Sequence, residues 1–141
     1  MSLRKIPNIK LLILTANYFG RVEGRKHFQK AVFLLQEQFK IEFDYHFIPY
    51  LYGPYSSQLQ NDLDILARTG YLKATKVGYL FFYEITKLGQ EIASKLKEEY
   101  GKERCENLEK QVNNLKDFST QELVDWSKKL MSEKVKDNIF W

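Results

Sequence analysis

Residues 50–86 limit the possible folds of this 141-residue chain more than any other stretch. Residues 53–70 open with Gly53-Pro54-Tyr55-Ser56-Ser57 and close with Arg68-Thr69-Gly70. Leu59, Leu63 and Leu66 recur between them at helical spacing, and Ser57, Gln60, Asn61, Asp64 and Arg68 fall on the opposite side. The pattern predicts a helix with Pro54 at its first position, where a missing N–H costs nothing. Gly70 would close it in a left-handed conformation. Two β-rich runs follow, Tyr71-Leu72-Lys73-Ala74-Thr75-Lys76-Val77 and Tyr79-Leu80-Phe81-Phe82-Tyr83-Glu84-Ile85, joined by Gly78. They predict a hairpin.

The chain before this stretch supplies two more helices. The first starts at Pro7 or Asn8, buries Ile9, Leu12, Ile13, Ala16 and Phe19, and ends at Gly20. Arg21-Val22-Glu23-Gly24 reads as a turn. The second runs from about Arg25 to Phe39, with Phe28, Ala31, Val32, Leu35 and Phe39 inward. Tyr18, Phe33 and Leu34 widen the apolar surface beyond one stripe, which predicts cover on a second side. Alternation of Phe43, Tyr45 and Phe47 predicts a strand that ends at Pro49 or lies at an edge. The first seven residues, with Arg4 and Lys5, read as an arm.

Beyond the hairpin, Thr86 caps a helix carrying Leu88, Ile92 and Leu96 and ending near Tyr100-Gly101. Residues 102–116 place Cys105, Leu108, Val112 and Leu115 on one face. Ser119-Thr120-Gln121-Glu122 is a capping box, with Phe118 and Leu123 placed as a hydrophobic staple. It opens a last helix to about residue 133 that turns Leu123, Trp126 and Leu130 one way.

Helix, helix, helix, hairpin, helix predicts an α+β fold, mostly α. The order, together with Ile85-Thr86-Lys87-Leu88-Gly89, resembles the winged helix-turn-helix superfamily, in which a strand, Leu/Ile-Thr-x-x-Gly and a helix form a common junction. Tyr52-Gly53-Pro54-Tyr55-Ser56 resembles more closely the small prokaryotic proteins of the YwgA type and the Panacea-type antitoxin domains. The resemblance covers roughly residues 9–97. It implies a winged-helix domain over residues 1–100: a three-helix core plus a small antiparallel β wing. Residues 101–141 would then be a C-terminal helical extension, packing on that domain or forming a dimer interface. Two dimer surfaces suggest themselves: a seam of Leu108, Val112 and Leu115 against Leu123, Trp126 and Leu130 of a second chain, and the first helix.

Charge enters at this point. Residues 1–90 hold 12 Lys/Arg and 7 Asp/Glu, and residues 91–141 hold 10 and 11, so the basic excess lies in the first part. A polyanion partner is favoured there. A single cysteine, Cys105, permits no internal disulfide, and Ile9 to Ala16 is too short an apolar run to span a bilayer. The expectation is a cytoplasmic protein with no membrane partner.

Catalytic chemistry finds no support. His27 and His46 lack zinc spacing, and Cys105 reads as a small core residue. Gly20 and Gly24 form no phosphate loop, Ser56 and Ser57 lack a base, and Asp62 and Asp64 make no acid–base pair. No enzyme and no cofactor are expected. The winged-helix resemblance implies double-stranded DNA as partner and a homodimer as the working form. Tyr55, Ser56, Ser57, Gln60, Asn61 and Arg68 would face the major groove, Lys73 and Lys76 would flank the wing tip, and Arg25 and Lys26 would hold a phosphate at the start of the second helix. The Panacea-type resemblance implies the alternative, an antitoxin-like or adaptor module whose surface around Tyr50, Tyr52 and Tyr55 meets a protein.

Overall fold

The computed structural model describes residues 5–139; the arm's Arg4 lies outside them. The fold is α+β and mostly helical. Its elements are α1 (Asn8–Phe19), β1 (Arg21–Glu23), α2 (Gly24–Glu37), β2 (Ile48–Tyr50), β3 (Gly53–Tyr55), α3 (Ser57–Arg68), β4 (Leu72–Val77), β5 (Leu80–Ile85), α4 (Lys87–Tyr100), α5 (Lys102–Lys116) and α6 (Thr120–Ile139). One antiparallel sheet has the order β1-β5-β4, and a separate two-stranded ribbon joins β2 to β3.

α2 runs through the middle. It packs on α6, α5, α3, β3 and the sheet. Phe28, Ala31, Val32, Phe33, Leu34 and Leu35 are all buried, so the second apolar side read from Phe33 and Leu34 is covered within the chain. α1 is enclosed in the same way by α4, α5 and the sheet. Its Thr15 stays in the core because the hydroxyl donates to the Leu11 carbonyl at 2.8 Å. Leu108, Val112, Leu115 and Leu123 are buried inside the chain too. Both surfaces named for dimerisation are therefore largely spent on the chain's own core. Of the seam, Trp126 and Leu130 remain half-buried, and Trp126 meets Phe39 and Phe118.

Four local expectations need correction. The turn at residues 21–24 is β1, whose Val22 faces Tyr83 of β5 across the ladder. The helix expected from Pro54 begins at Ser57. Ser56 is its cap, accepting from the Leu59 N–H at 3.2 Å. Pro54 lies instead in β3 opposite Pro49, a pairing in which neither residue has an N–H to lose. The alternation of Phe43, Tyr45 and Phe47 is real in burial, but the segment has no strand partner. The Gln36 amide stands in for one: its Oε1 accepts from the Tyr45 N–H at 2.9 Å and its Nε2 donates to the Tyr45 carbonyl at 3.0 Å. Finally, α4 turns Gly89, Ala93, Leu96 and Tyr100 inward, leaving Leu88 exposed and Ile92 at the margin.

The junctions read from caps hold as expected. Ser119 and Glu122 exchange the two hydrogen bonds of a capping box, at 3.1 and 2.9 Å. Thr86 accepts from the Gly89 N–H at 3.0 Å and donates to the Gly70 carbonyl at 2.6 Å, tying α4 to the end of α3. Lys5 is not free but pairs with Asp44, and Ile6 beside it is buried.

His27 marks the α2–α6 contact. It is half-buried; its Nδ1 lies 2.9 Å from the Thr120 hydroxyl, and burial lowers its pKa, with Glu23 opposing weakly. A depressed histidine pKa means the unfolded chain takes up the proton first as pH falls. Stability should therefore drop as pH falls below about 6.5, the unperturbed histidine value. His27→Gln, which keeps a polar group but cannot titrate, should remove that part of the dependence in urea melts between pH 7 and 5. Superimposable profiles for the two proteins would reject the assignment.

Candidate nucleic-acid interface

α3 shows how a short helix is given one free face. Leu59, Leu63 and Leu66 are buried beneath it, against α2 and β4. Its start is fixed from α2: the Gln29 Nε2 donates to the Ser56 carbonyl at 2.8 Å, and the Ser56 N–H donates to Gln29 Oε1 at 2.9 Å. Ser57, Asn61, Asp64 and Arg68 remain exposed on the other side. α6 lies on α2 and β3.

A groove of 520 Å³ runs along this free side, lined by Arg25, Asn61, Asp64, Arg68, Phe81 and Tyr83 among others. Arg25 crosses from α2 over the Phe81 ring at 5.0 Å. The Tyr83 hydroxyl, first, and Asp64, more weakly, push the Arg25 pKa further up. Strand alternation puts Lys76 on the sheet face shared by Ala74, Phe81 and Tyr83, since Lys76 pairs with Phe81 and Ala74 with Tyr83. Lys73 pairs with Glu84 and so points to the opposite face, where Arg21 also meets Glu84 in register.

The structure thus divides the residues read from the sequence. Arg25, Asn61 and Arg68 share the groove, with Lys76 on the sheet face that borders it. Ser57 is exposed on the first turn of α3. Ser56 is buried and occupied as a cap, so it is not available to a phosphate. Gln60 is not a free reader: its Nε2 donates to Asp64 at 3.1 Å and to the Tyr83 hydroxyl at 3.2 Å, latching α3 to β5. Tyr55 belongs to β3, with its ring centroid 5.7 Å from that of Tyr50. Lys73 stands outside the groove. Asp62 is turned away as well, accepting from the Tyr45 hydroxyl at 2.6 Å, so among the described residues only Asp64 brings negative charge to the groove.

Lys26, Tyr55 and Gln60 border a second cavity of 260 Å³ between α2 and the β2–β3 ribbon, with Arg25 as the wall common to both. Its unforeseen member is Lys30, only 3% exposed. The signal was present: Lys26, Lys30 and the Phe33/Leu34 pair follow i, i+4, i+7/i+8 spacing, so the lysines share the second apolar side of α2.

Among the described residues no group of three His, Cys, Asp or Glu side chains could hold a metal, and no helix is long and apolar enough to cross a membrane. No family model and no solved structure matches the chain. The chain is similar to the uncharacterized protein YwgA of Bacillus subtilis (strain 168), at 35% identity over 77 residues, 50% of this chain and 44% of that protein. It spans less than half the length of the curated relative it matches. The similarity supports a YwgA-type relationship over that stretch.

Proposed function

We propose that the chain is a winged-helix protein that binds duplex DNA and acts as a transcriptional regulator. α3 would lie in the major groove, with the β4–β5 hairpin as the wing. The element order α1-β1-α2-α3-β4-β5 and the sheet order β1-β5-β4 support the winged-helix reading. The observation that carries the DNA reading is the free outer face of α3, bordered by Arg25, Arg68 and Lys76 while α6 packs on other elements. Asn61 is the residue on that face suited to a bidentate contact with adenine.

Phosphate contacts by Arg25, Lys26, Arg68 and Lys76 would give a log–log salt slope of about −3 to −4. Fluorescence anisotropy with random duplex DNA across a salt series reads that slope directly. Asn61→Ala should weaken a selected site by about 1–3 kcal/mol and random duplex hardly at all. Lys76→Ala should weaken both equally, and Lys73→Ala neither. No binding to any duplex at low salt would end the proposal.

One observation favours a second reading, a protein-interaction module of antitoxin or adaptor type. Ile48, Tyr50, Leu51 and Tyr52 expose an apolar tip on the β2–β3 ribbon. Pairing of two chains on a palindromic site, with recognition helices about 34 Å apart, belongs to the first reading. With the helical seams largely buried, that same tip and the Val77, Tyr79 and Leu80 tip of the β4–β5 hairpin are exposed apolar surfaces for it.

A further inference from the structure

The 260 Å³ cavity between α2 and the β2–β3 ribbon holds a charge that the protein leaves unanswered. Lys30 is only 3% exposed, yet among the described residues no carboxylate or carbonyl pairs with its ammonium, which still opens onto the cavity. Its nearest charged neighbours make matters worse. Lys26 stands one turn earlier on α2, and Lys128 approaches from α6. Gly53 lets the ribbon close over these stems: a Cβ there would stand 3.4 Å from Lys30 Cε and 3.3 Å from Lys128 Cγ. Arg25 joins Lys26 and Lys30 as a third cation in the cavity wall. A buried cation without a partner is costly, and a phosphate dianion would neutralise Lys30 together with Lys26.

The other walls specify more than an anion. The Tyr50 and Tyr55 rings stand 5.7 Å apart at the cavity edge, and Lys26 Nζ lies 4.3 Å from the centre of the Tyr52 ring. Such a wall suits a flat ring. Gln60 Oε1 is buried without a hydrogen-bond partner, because Asp64 and Tyr83 hold the amide by its Nε2 end. It calls for a donor. At 260 Å³ the volume falls just below the usual range for small-molecule sites, which begins near about 300 Å³.

We propose that this cavity binds a nucleoside monophosphate. The phosphate sits on Lys30 and Lys26 with Arg25 beside it, the base lies against Tyr50 and Tyr55, and an N–H or O–H of the ligand donates to Gln60 Oε1. The ligand is a free nucleotide, and its cavity adjoins the α3 groove at Arg25.

Calorimetric titration of the full chain at pH 7 tests it, with AMP, GMP, CMP, adenosine and inorganic phosphate as probes. At least one nucleotide should bind tenfold or more tightly than either adenosine or phosphate. Lys30→Met should weaken that binding at least tenfold. Tyr50→Ala, at an exposed position outside the core, should weaken it several-fold. Phosphate binding as tightly as every nucleotide, or unchanged affinity in both variants, would overturn the proposal. So would tenfold tighter binding of a 5′-phosphorylated single-stranded oligonucleotide, which would make the site a strand-end pocket.

Discussion

Gly89→Ala should destabilise the protein by about 3 kcal/mol or more, among the largest effects open to a single added methyl group. Gly89 needs no left-handed backbone, since its φ is not positive. What it needs is space: a Cβ would come 2.3 Å from the Tyr71 carbonyl oxygen and 2.5 Å from Ile85 Cδ1. The first of these is backbone, so it cannot rotate out of the way. The Tyr71 and Gly70 carbonyls also accept from the Thr86 hydroxyl at 3.1 and 2.6 Å, which fixes α4 against the end of α3. Alanine's better helix propensity, worth about 1 kcal/mol, offsets only part of the clash. Gly20→Ala is the control. Gly20 has φ +74° with ψ −57°, outside the left-handed helical well, and open space around it, so that change meets backbone strain of about 1–3 kcal/mol and no clash. Equal losses for the two variants in urea denaturation would show that α4 can move off Tyr71 at little cost.

The same residue explains why the Ile85-Thr86-x-x-Gly89 junction was legible in the sequence. Threonine is a cap and glycine a contact, and both signals are local. Helices were legible for the same reason. Their caps and periodicity lie within a few residues, and α5 buries the Cys105, Leu108, Val112 and Leu115 stripe read from spacing alone. What escaped was non-local. β1 is three residues long and becomes a strand only because β5 comes to lie beside it. Gln36 was unreadable as the partner of Tyr45, and Gln29 as the clamp on Ser56. Those clamps moved the start of α3 from Pro54 to Ser57, and with it Tyr55 from the helix to a strand. In the candidate interface, Asn61 and Arg68 fall on one side of α3 at helical spacing, while Arg25 joins them from α2, a meeting that only the fold creates. Gln60 has the right chemistry for reading bases but is taken up by Asp64 and Tyr83, a contact that only the fold creates.

Lys30→Met should raise the stability of the free protein by about 2–3 kcal/mol at pH 7. Burial first, then Lys26 and Lys128, lower the Lys30 pKa from 10.5 to about 8. The gap corresponds to roughly 3 kcal/mol of cost for holding the charge inside. Below pH 8 both the folded and unfolded chains carry the proton, so that cost is present in full. As pH rises from 8 toward 10.5 the folded chain gives up its proton first, and stability recovers. Tyr45 and Tyr100 act in the opposite sense at the upper end, because burial and the neighbouring carboxylates of Asp62 and Glu42 hold them protonated in the fold while the unfolded chain ionises. The informative window is therefore about pH 7.5–9.5, below the ordinary tyrosine range. Within it the native protein should gain stability relative to Lys30→Met, whose methionine fills the same space without a charge. The difference between the two urea midpoints, followed against pH, isolates the one group. A difference that stays flat, or a methionine variant less stable than the native protein at pH 7, would mean the ammonium is solvated in the free protein. If the difference closes as expected, Lys30 is kept at the expense of stability, which is what a residue reserved for an anionic ligand requires.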